Sequence, residues 1–250
     1  MLPLLLCALL AATPPAPLSL RAGMAEPDEE VELHLSGLAA PTKAEAGLYL
    51  FGTLSVPSHA LRALLLRSTD GGAHWTEVLP EMENSEVLSV HFTGCQGRAL
   101  VGWTTEGPGE LTLFASSDCG ASWKRRSKLP KAVWSEWPEQ MAWKDGQQGT
   151  VWLVDTNEEN APPRALTTRD GGSTWSTAKQ PPPVPSPQPE SEARGPSGVL
   201  WKVTSEEQAT RVERQEPGGT AEVRALLPKS WRREGNKLVP ARQAGSIPAP

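Results

Sequence analysis

Aromatic side chains other than tryptophan are scarce in this chain: one Tyr and three Phe stand against ten Trp. So lopsided a set points to Trp filling one structural position several times. It also leaves Tyr49 as the only phenol. Cysteine is scarce too, at three residues, too few for a disulfide-built scaffold or a thiolate-rich zinc site. The four His, at positions 34, 59, 74 and 91, show no ligand spacing, and no Gly-rich loop follows a strand in a phosphate-binding pattern. No metal site and no cofactor are therefore expected. Basic residues do not outnumber acidic ones. With a net charge of −5 the chain lacks the footprint of a nucleic-acid binder. The single basic run, Lys124-Arg125-Arg126 with Lys128, reads as a solvated strand end, and Glu81-Met82-Glu83 as a solvated loop.

Long apolar runs are missing beyond the N-terminus, so no transmembrane segment is expected. The chain opens MLPLLLCALLAA and then TPPAPLSLRAG. An apolar run of about ten residues is too short for a bilayer and has the length of a signal-peptide core, although no Lys or Arg precedes it. Residues 1–23 are expected to be a leader, cleaved near Ala11 or Ala12 or further on, and residues 24–30 an acidic linker. Cys7 invites a lipid anchor, but Leu4, Leu5 and Leu6 precede it where a small residue is wanted. A leader would make the chain extracytoplasmic, secreted or periplasmic. Translation from Met24 would leave it cytoplasmic. Cys95 and Cys119 then remain, an even count that permits one disulfide or two unpaired thiols.

Turn formers are plentiful, with 25 Pro and 22 Gly, which suits many short strands. A motif also recurs. Ser68-Thr69-Asp70-Gly71-Gly72-Ala73-His74-Trp75 is followed by Ser116-Ser117-Asp118-Cys119-Gly120-Ala121-Ser122-Trp123 and by Thr168-Arg169-Asp170-Gly171-Gly172-Ser173-Thr174-Trp175. The shared form is Ser or Thr, then Asp two later, Gly four later and Trp seven later. The aspartates are 48 and 52 positions apart, the period of one four-stranded propeller blade. The chemistry fits a tight turn. Asp accepts backbone N–H groups a few residues on, the hydroxyl closes the turn, Gly supplies positive φ, and Trp opens the outgoing strand with a large apolar face.

Three β-type runs precede each copy: Val31–Leu35, Gly47–Gly52 and Leu61–Arg67; Val87–Phe92, Arg98–Trp103 and Glu110–Ala115; Gln140–Trp143, Gly149–Val154 and Arg164–Thr167. Residues 31–179 are thus expected to hold three blades. The Pro-rich stretch 180–197 reads as an extended insert or linker. Residues 198–250 read as a degenerate blade without the motif, plus a tail around Lys237-Leu238-Val239 that could pair with the N-terminal strand and close the ring. Trp103, Trp152 and Trp201 are expected at comparable strand positions, packing between blades. Trp134 and Trp137 lie in a loop and are the best candidates for exposed aromatics usable by a sugar or protein surface.

The motifs resemble Asp-box, or BNR, repeats over roughly residues 31–230. That family includes sialidases, sortilin-type receptors and a photosystem II assembly factor, and the third copy is most similar to the assembly-factor group. The resemblance implies an all-β propeller of four-stranded antiparallel blades, about four to five here, incomplete or with a degenerate last blade. If the ring is incomplete, a second copy could complete it. In such a blade the first and third turns lie on the same side, so a Cys95–Cys119 bond is geometrically plausible. Sialidases of this family use an Arg cluster, a Tyr–Glu nucleophile pair and an Arg-Ile-Pro motif. No Arg-Ile-Pro occurs here, and Tyr49 lies inside a predicted strand. No catalytic residue is assigned. Ser68, Asp70, Gly72, Trp75, Ser116, Asp118, Gly120, Trp123, Thr168, Asp170, Gly172 and Trp175 are expected to be structural. The expected role is a non-catalytic module that binds a protein or glycan. The alternative is a sialidase-like glycoside hydrolase with an unrecognised site. The residues lining the central channel would discriminate between them.

Overall fold

The computed structural model describes residues 18–41, 47–103, 109–130, 135–158, 161–185 and 191–241. In chain order the strands are β1 (Leu20–Arg21), β2 (Glu30–Ala39), β3 (Leu48–Val56), β4 (His59–Ser68), β5 (Thr76–Glu77), β6 (Ser85–Thr93), β7 (Gln96–Trp103), β8 (Leu111–Ser116), β9 (Lys124–Leu129), β10 (Glu136–Trp143), β11 (Gly149–Asp155), β12 (Arg164–Thr168), β13 (Ser176–Thr177), β14 (Glu192–Arg194), β15 (Leu200–Ser205), β16 (Ala209–Gln215), β17 (Ala221–Pro228), β18 (Ser230–Glu234) and β19 (Lys237–Pro240). They form antiparallel meanders β2–β5, β6–β9, β10–β13 and β14–β17. The first strands of the four meanders come together around one cavity. Four antiparallel four-stranded units around a common axis are the blades of an all-β propeller.

Alternation explains the first strand of the first blade. Glu30, Glu32 and His34 are exposed while Val31 and Leu33 are buried. β3 is buried on both faces because it lies between two neighbouring blades. Apolar clusters fill three of the interfaces. Leu50, Leu64 and Leu66 of the first blade meet Trp201, Val212 and Leu227 of the fourth. Tyr49, Phe51 and Leu65 meet Val87, Val101 and Phe114 of the second. Leu100 and Leu113 of the second meet Met141, Val151 and Leu153 of the third. The third–fourth junction differs. There the linker lies against Trp152, whose indole N–H donates to the Pro182 carbonyl at 2.9 Å. On the face of the fourth blade opposite Trp201, Lys202 pairs with Glu192 at 3.4 Å and Arg211 with Glu206 at 2.5 Å.

The tail does not finish the fourth blade. β18 pairs with β2, Trp231 opposite Val31, and β19 and β1 follow in a seven-stranded sheet. This sheet rolls over, so that its first strand returns to its last. The Arg21 amide and guanidinium both donate to Glu77 of β5, at 2.8 to 3.0 Å. The fourth and first blades are therefore joined within one chain.

Leu18, Leu20, Ala22 and Ala25 are buried in the first blade's core, although 1–23 reads as a leader and 24–30 as a linker. The fourth blade begins at Glu192, inside the expected linker 180–197, and ends at Pro228. It has all four strands but no repeat turn. Residues 1–17 and Cys7 lie outside the described residues. Among the described residues, no helix is long and apolar enough to cross a membrane.

Candidate functional site: repeat turns and axial cavity

The three repeat turns share one hydrogen-bond scheme. In the first, the Ser68 hydroxyl donates to Asp70 Oδ1 at 2.9 Å and accepts the Gly72 amide at 2.8 Å, and Asp70 Oδ1 accepts the His74 amide. The second repeats this with Ser116, Asp118, Gly120 and Ser122, the third with Thr168, Asp170, Gly172 and Thr174. The indoles of Trp75 and Trp123 cap the carbonyls of Gly72 and Gly120, whereas Trp175 donates to Ser127 of the second blade. The side-chain hydrogen bonds these carboxylates accept come from their own loop. The hydrogen bonds lower their pKa. For Asp70, burial works the other way and is outweighed by the His74 and Ser68 bonds, which bring it to about 2. For Asp118, the Ser122 hydroxyl and amide and the Ser116 hydroxyl lower it to about 2. Asp170 is lowered as well, chiefly by the Thr174 amide and hydroxyl.

The turn position after the aspartate is left-handed in every copy: φ is 68° at Gly71, 55° at Cys119 and 70° at Gly171. Cys119 occupies the glycine position and is joined to Cys95, with Cα atoms 4.0 Å apart. Its amide also donates to the Cys95 carbonyl at 3.2 Å.

Polar side chains fasten each turn region to the preceding blade, and sequence reasoning missed them. Arg224 Nε donates to the Gly71 carbonyl at 3.0 Å, across the closing junction. The Tyr49 hydroxyl donates to the Cys119 carbonyl. Arg98 donates to Gly146 at 2.8 Å and lies over the Trp143 ring, and Arg126 donates to Asp170. Lys128 and Arg125 of the same run pair with Glu110. Tyr49 is fully buried between blades. Burial pushes its phenol up to about 12, against a lowering effect of Arg67.

The axial cavity, about 350 Å³, is built by a bulge that recurs in three blades. The register of β2 on β3 slips at Ser36, that of β6 on β7 at Leu88, and that of β10 on β11 at Glu139. Counted from the turn hydroxyl across the second and third strands, the three slips fall at the same position. A bulge re-aims side chains. Leu38, Val90 and Met141 therefore form one apolar layer around the axis, Ser89 and Gln140 share the next level, and Leu88 and Glu139 the level after. Glu192 of β14 and Val184 of the linker complete the wall, and His91 lies above. Among the described residues, the lining includes no arginine. Burial and the charge of Arg98 lower the His91 pKa, so its imidazole is neutral at neutral pH.

The register separates the tryptophans expected at comparable positions. Trp152 lies opposite Gln140, a place held by Phe51 and Leu100 in the earlier blades, whereas Trp103 lies opposite Ser85, three residues further along. Trp201 packs between the fourth and first blades. Trp137 is half-buried, its ring against Gly102 of the second blade. Trp134 lies outside the described residues. Among the described residues, no group of three or more His, Cys, Asp or Glu could hold a metal ion.

Among the described residues, four meanders with their turns, polar clamps and a side-chain-lined axial cavity define a β-propeller. No family model matches the chain, and no curated protein matches it. Among solved structures it is similar to YCF48 bound to D1 peptide, with 21% identity and a TM-score of 0.39 over 81% of this chain and 58% of that one. It is also similar to the GH74 enzyme of Niastella koreensis, with 16% identity and a TM-score of 0.36 over 76% of this chain and 30% of that one. A third is Zg3597, a family 117 glycoside hydrolase of Zobellia galactanivorans, with 10% identity and a TM-score of 0.40 over 81% of this chain and 71% of that one. The chain spans less than two thirds of the first two. At such low scores these similarities add nothing to a fold already defined by strand pairing.

Proposed function

We propose that this chain is a non-catalytic, exported propeller of the Asp-box type that binds a protein or glycan through its axial cavity. The observation that supports this reading is the cavity wall. It mixes apolar side chains with Ser89, His91, Glu139, Gln140 and Glu192, and among the described residues it has no arginine to hold a substrate carboxylate. The only phenol is sealed between blades, far above its reactive pKa range. The turn carboxylates are spent on their own amides.

Glu139 and Glu192 do line the same cavity, and paired carboxylates serve glycoside hydrolases. A fluorogenic sialoside and a panel of aryl glycosides test that reading. Turnover above buffer is not expected. Turnover that disappears in Glu139→Gln or Glu192→Gln would replace the binding module with a hydrolase. Export is proposed from the apolar N-terminal run. The buried Leu18, Leu20 and Ala22 favour leader cleavage ahead of Leu18.

A further inference from the structure

The first strands of the blades in this propeller are predominantly acidic. The first strands of the blades carry Glu30, Glu32, Glu86, Glu136, Glu139 and Glu192, and a single cationic residue, Arg194. Among the outer strands, β9 is basic, with Lys124, Arg125, Arg126 and Lys128, whereas β5 carries Glu77, β13 no charge, and β17 one acid and one base. Glu136 is neutralised by Arg164, but Glu139 has no ion-pair partner among the described residues, and Glu192 shares only Lys202, at 3.4 Å. Both reach the axial cavity. His91 is neutral there and offers them no counter-charge. A concave site of one sign with low-dielectric walls focuses its field on an incoming counter-ion.

Beyond Glu139, past the level of Ser89 and Gln140, lies the apolar layer of Leu38, Val90 and Met141. A ligand that satisfies both must combine a charge with a hydrocarbon stem, which is the make-up of a lysine side chain. β6, β10 and β14 are also edge strands of their sheets. Such edges offer backbone N–H and C=O groups to an extended segment. We infer that the axial cavity receives a lysine side chain presented by an extended peptide, with Glu139 and Glu192 as its counter-charges. This rests on the cavity being the binding site proposed above.

The test uses the whole chain and three probes: the pentapeptide Ala-Leu-Lys-Leu-Ala with blocked ends, and its norleucine and glutamate counterparts. Calorimetry reads affinity, and hydrogen exchange on β6 and β10 reads location. The lysine peptide is expected to bind at least about tenfold tighter than either counterpart and to weaken as salt rises. It should protect β6 and β10. Glu139 is exposed, so Glu139→Gln leaves the fold intact and should weaken the lysine peptide about fivefold, and the double variant with Glu192→Gln further. Equal binding of the three peptides, indifference to Glu139→Gln, or no lysine-peptide binding would overturn the inference. If the norleucine or glutamate peptide alone protects β6 and β10, the cavity stands as a binding site and only its lysine preference fails. If binding occurs without protection of either strand, the cavity reading itself fails.

Discussion

Tyr49 and Arg98 occupy the same register in successive blades, and each reaches across to the next blade. Tyr49 lies opposite Arg67 and Arg98 opposite Ala115, in each case one step from the turn hydroxyl. Tyr49 packs on Phe92 with ring centroids 4.7 Å apart, and the Arg98 guanidinium lies 4.8 Å over Trp143. Phe92 and Trp143 in turn meet Trp123 and Trp175 edge-on. Thr150 holds this register in the third blade and is too short to continue the series. The clamp thus ends where the apolar interfaces end. Tyr49→Phe removes the bond to the Cys119 carbonyl while keeping the ring. A loss of about 1 to 2 kcal/mol in urea unfolding is expected, and an unchanged midpoint would show that the bond contributes nothing.

The close approach of the same Tyr gives a sharper contrast. A Cβ at Gly120 would meet the Tyr49 hydroxyl at 2.2 Å, whereas one at Gly94 meets nothing within 4 Å. Both residues have positive φ. Gly94→Ala should cost only about 1 kcal/mol from backbone strain. Gly120→Ala adds overpacking and should cost at least about 2 kcal/mol more, measured by thermal and urea denaturation.

The disulfide and the left-handed turn can be separated. Cys95→Ala with Cys119→Ala loses a cross-link spanning 24 residues, worth about 3 kcal/mol. It also leaves a strained Ala at φ 55°. Cys95→Ala with Cys119→Gly restores the residue type of the other two turns. It is expected to be about 1 kcal/mol more stable than the double alanine variant. Equal stabilities would show that the turn carries no backbone strain.

Acid should destabilise the protein in a defined window. Folded Asp70 and Asp118 titrate near 2, below their value of about 4 in an unfolded chain. Glu77 is lowered too, by Arg62 and then Arg21, against a raising effect of burial. Their contribution is present above about pH 4 and is lost as pH falls toward 2. Unfolding midpoints are expected to fall over that range. Asp118→Asn should flatten the dependence, and an unaltered slope would remove Asp118 from the account.

The N-terminal strand is expected to be indispensable. Arg62 and Glu77 form a buried ion pair at 2.9 Å, and Arg21 closes over it. Removing residues 1–23 exposes this pair and strips Leu18 and Leu20 from the core. A loss of roughly 3 kcal/mol or more is expected from the two leucines alone, read by urea unfolding. Under the proposed export, mass spectrometry of the mature protein should find an N-terminus at or before Leu18. Wild-type stability in the truncated chain would refute the structural role.

The blades themselves were legible because their turns are local. Each Ser or Thr, Asp and Gly bonds within four residues, so the pattern stands in the chain as a word repeated at one-blade spacing, and it implied the all-β propeller class. The clamps were not legible, because Tyr49 and Arg98 share a place but no chemistry, and only register makes them equivalent. The cavity wall was hidden for a similar reason. A one-residue slip at Leu88 or Glu139 decides which side chains face the axis, and no residue type announces it. Ring closure lay furthest from view. The pairing of Trp231 with Val31 joins positions 200 residues apart, and its stability comes from a core that exists only after the blades have packed. Local hydrogen bonding, written in the sequence, determined what each blade is. Long-range burial and strand register, which only the assembled fold supplies, decided how the blades join and what their axis presents to a ligand.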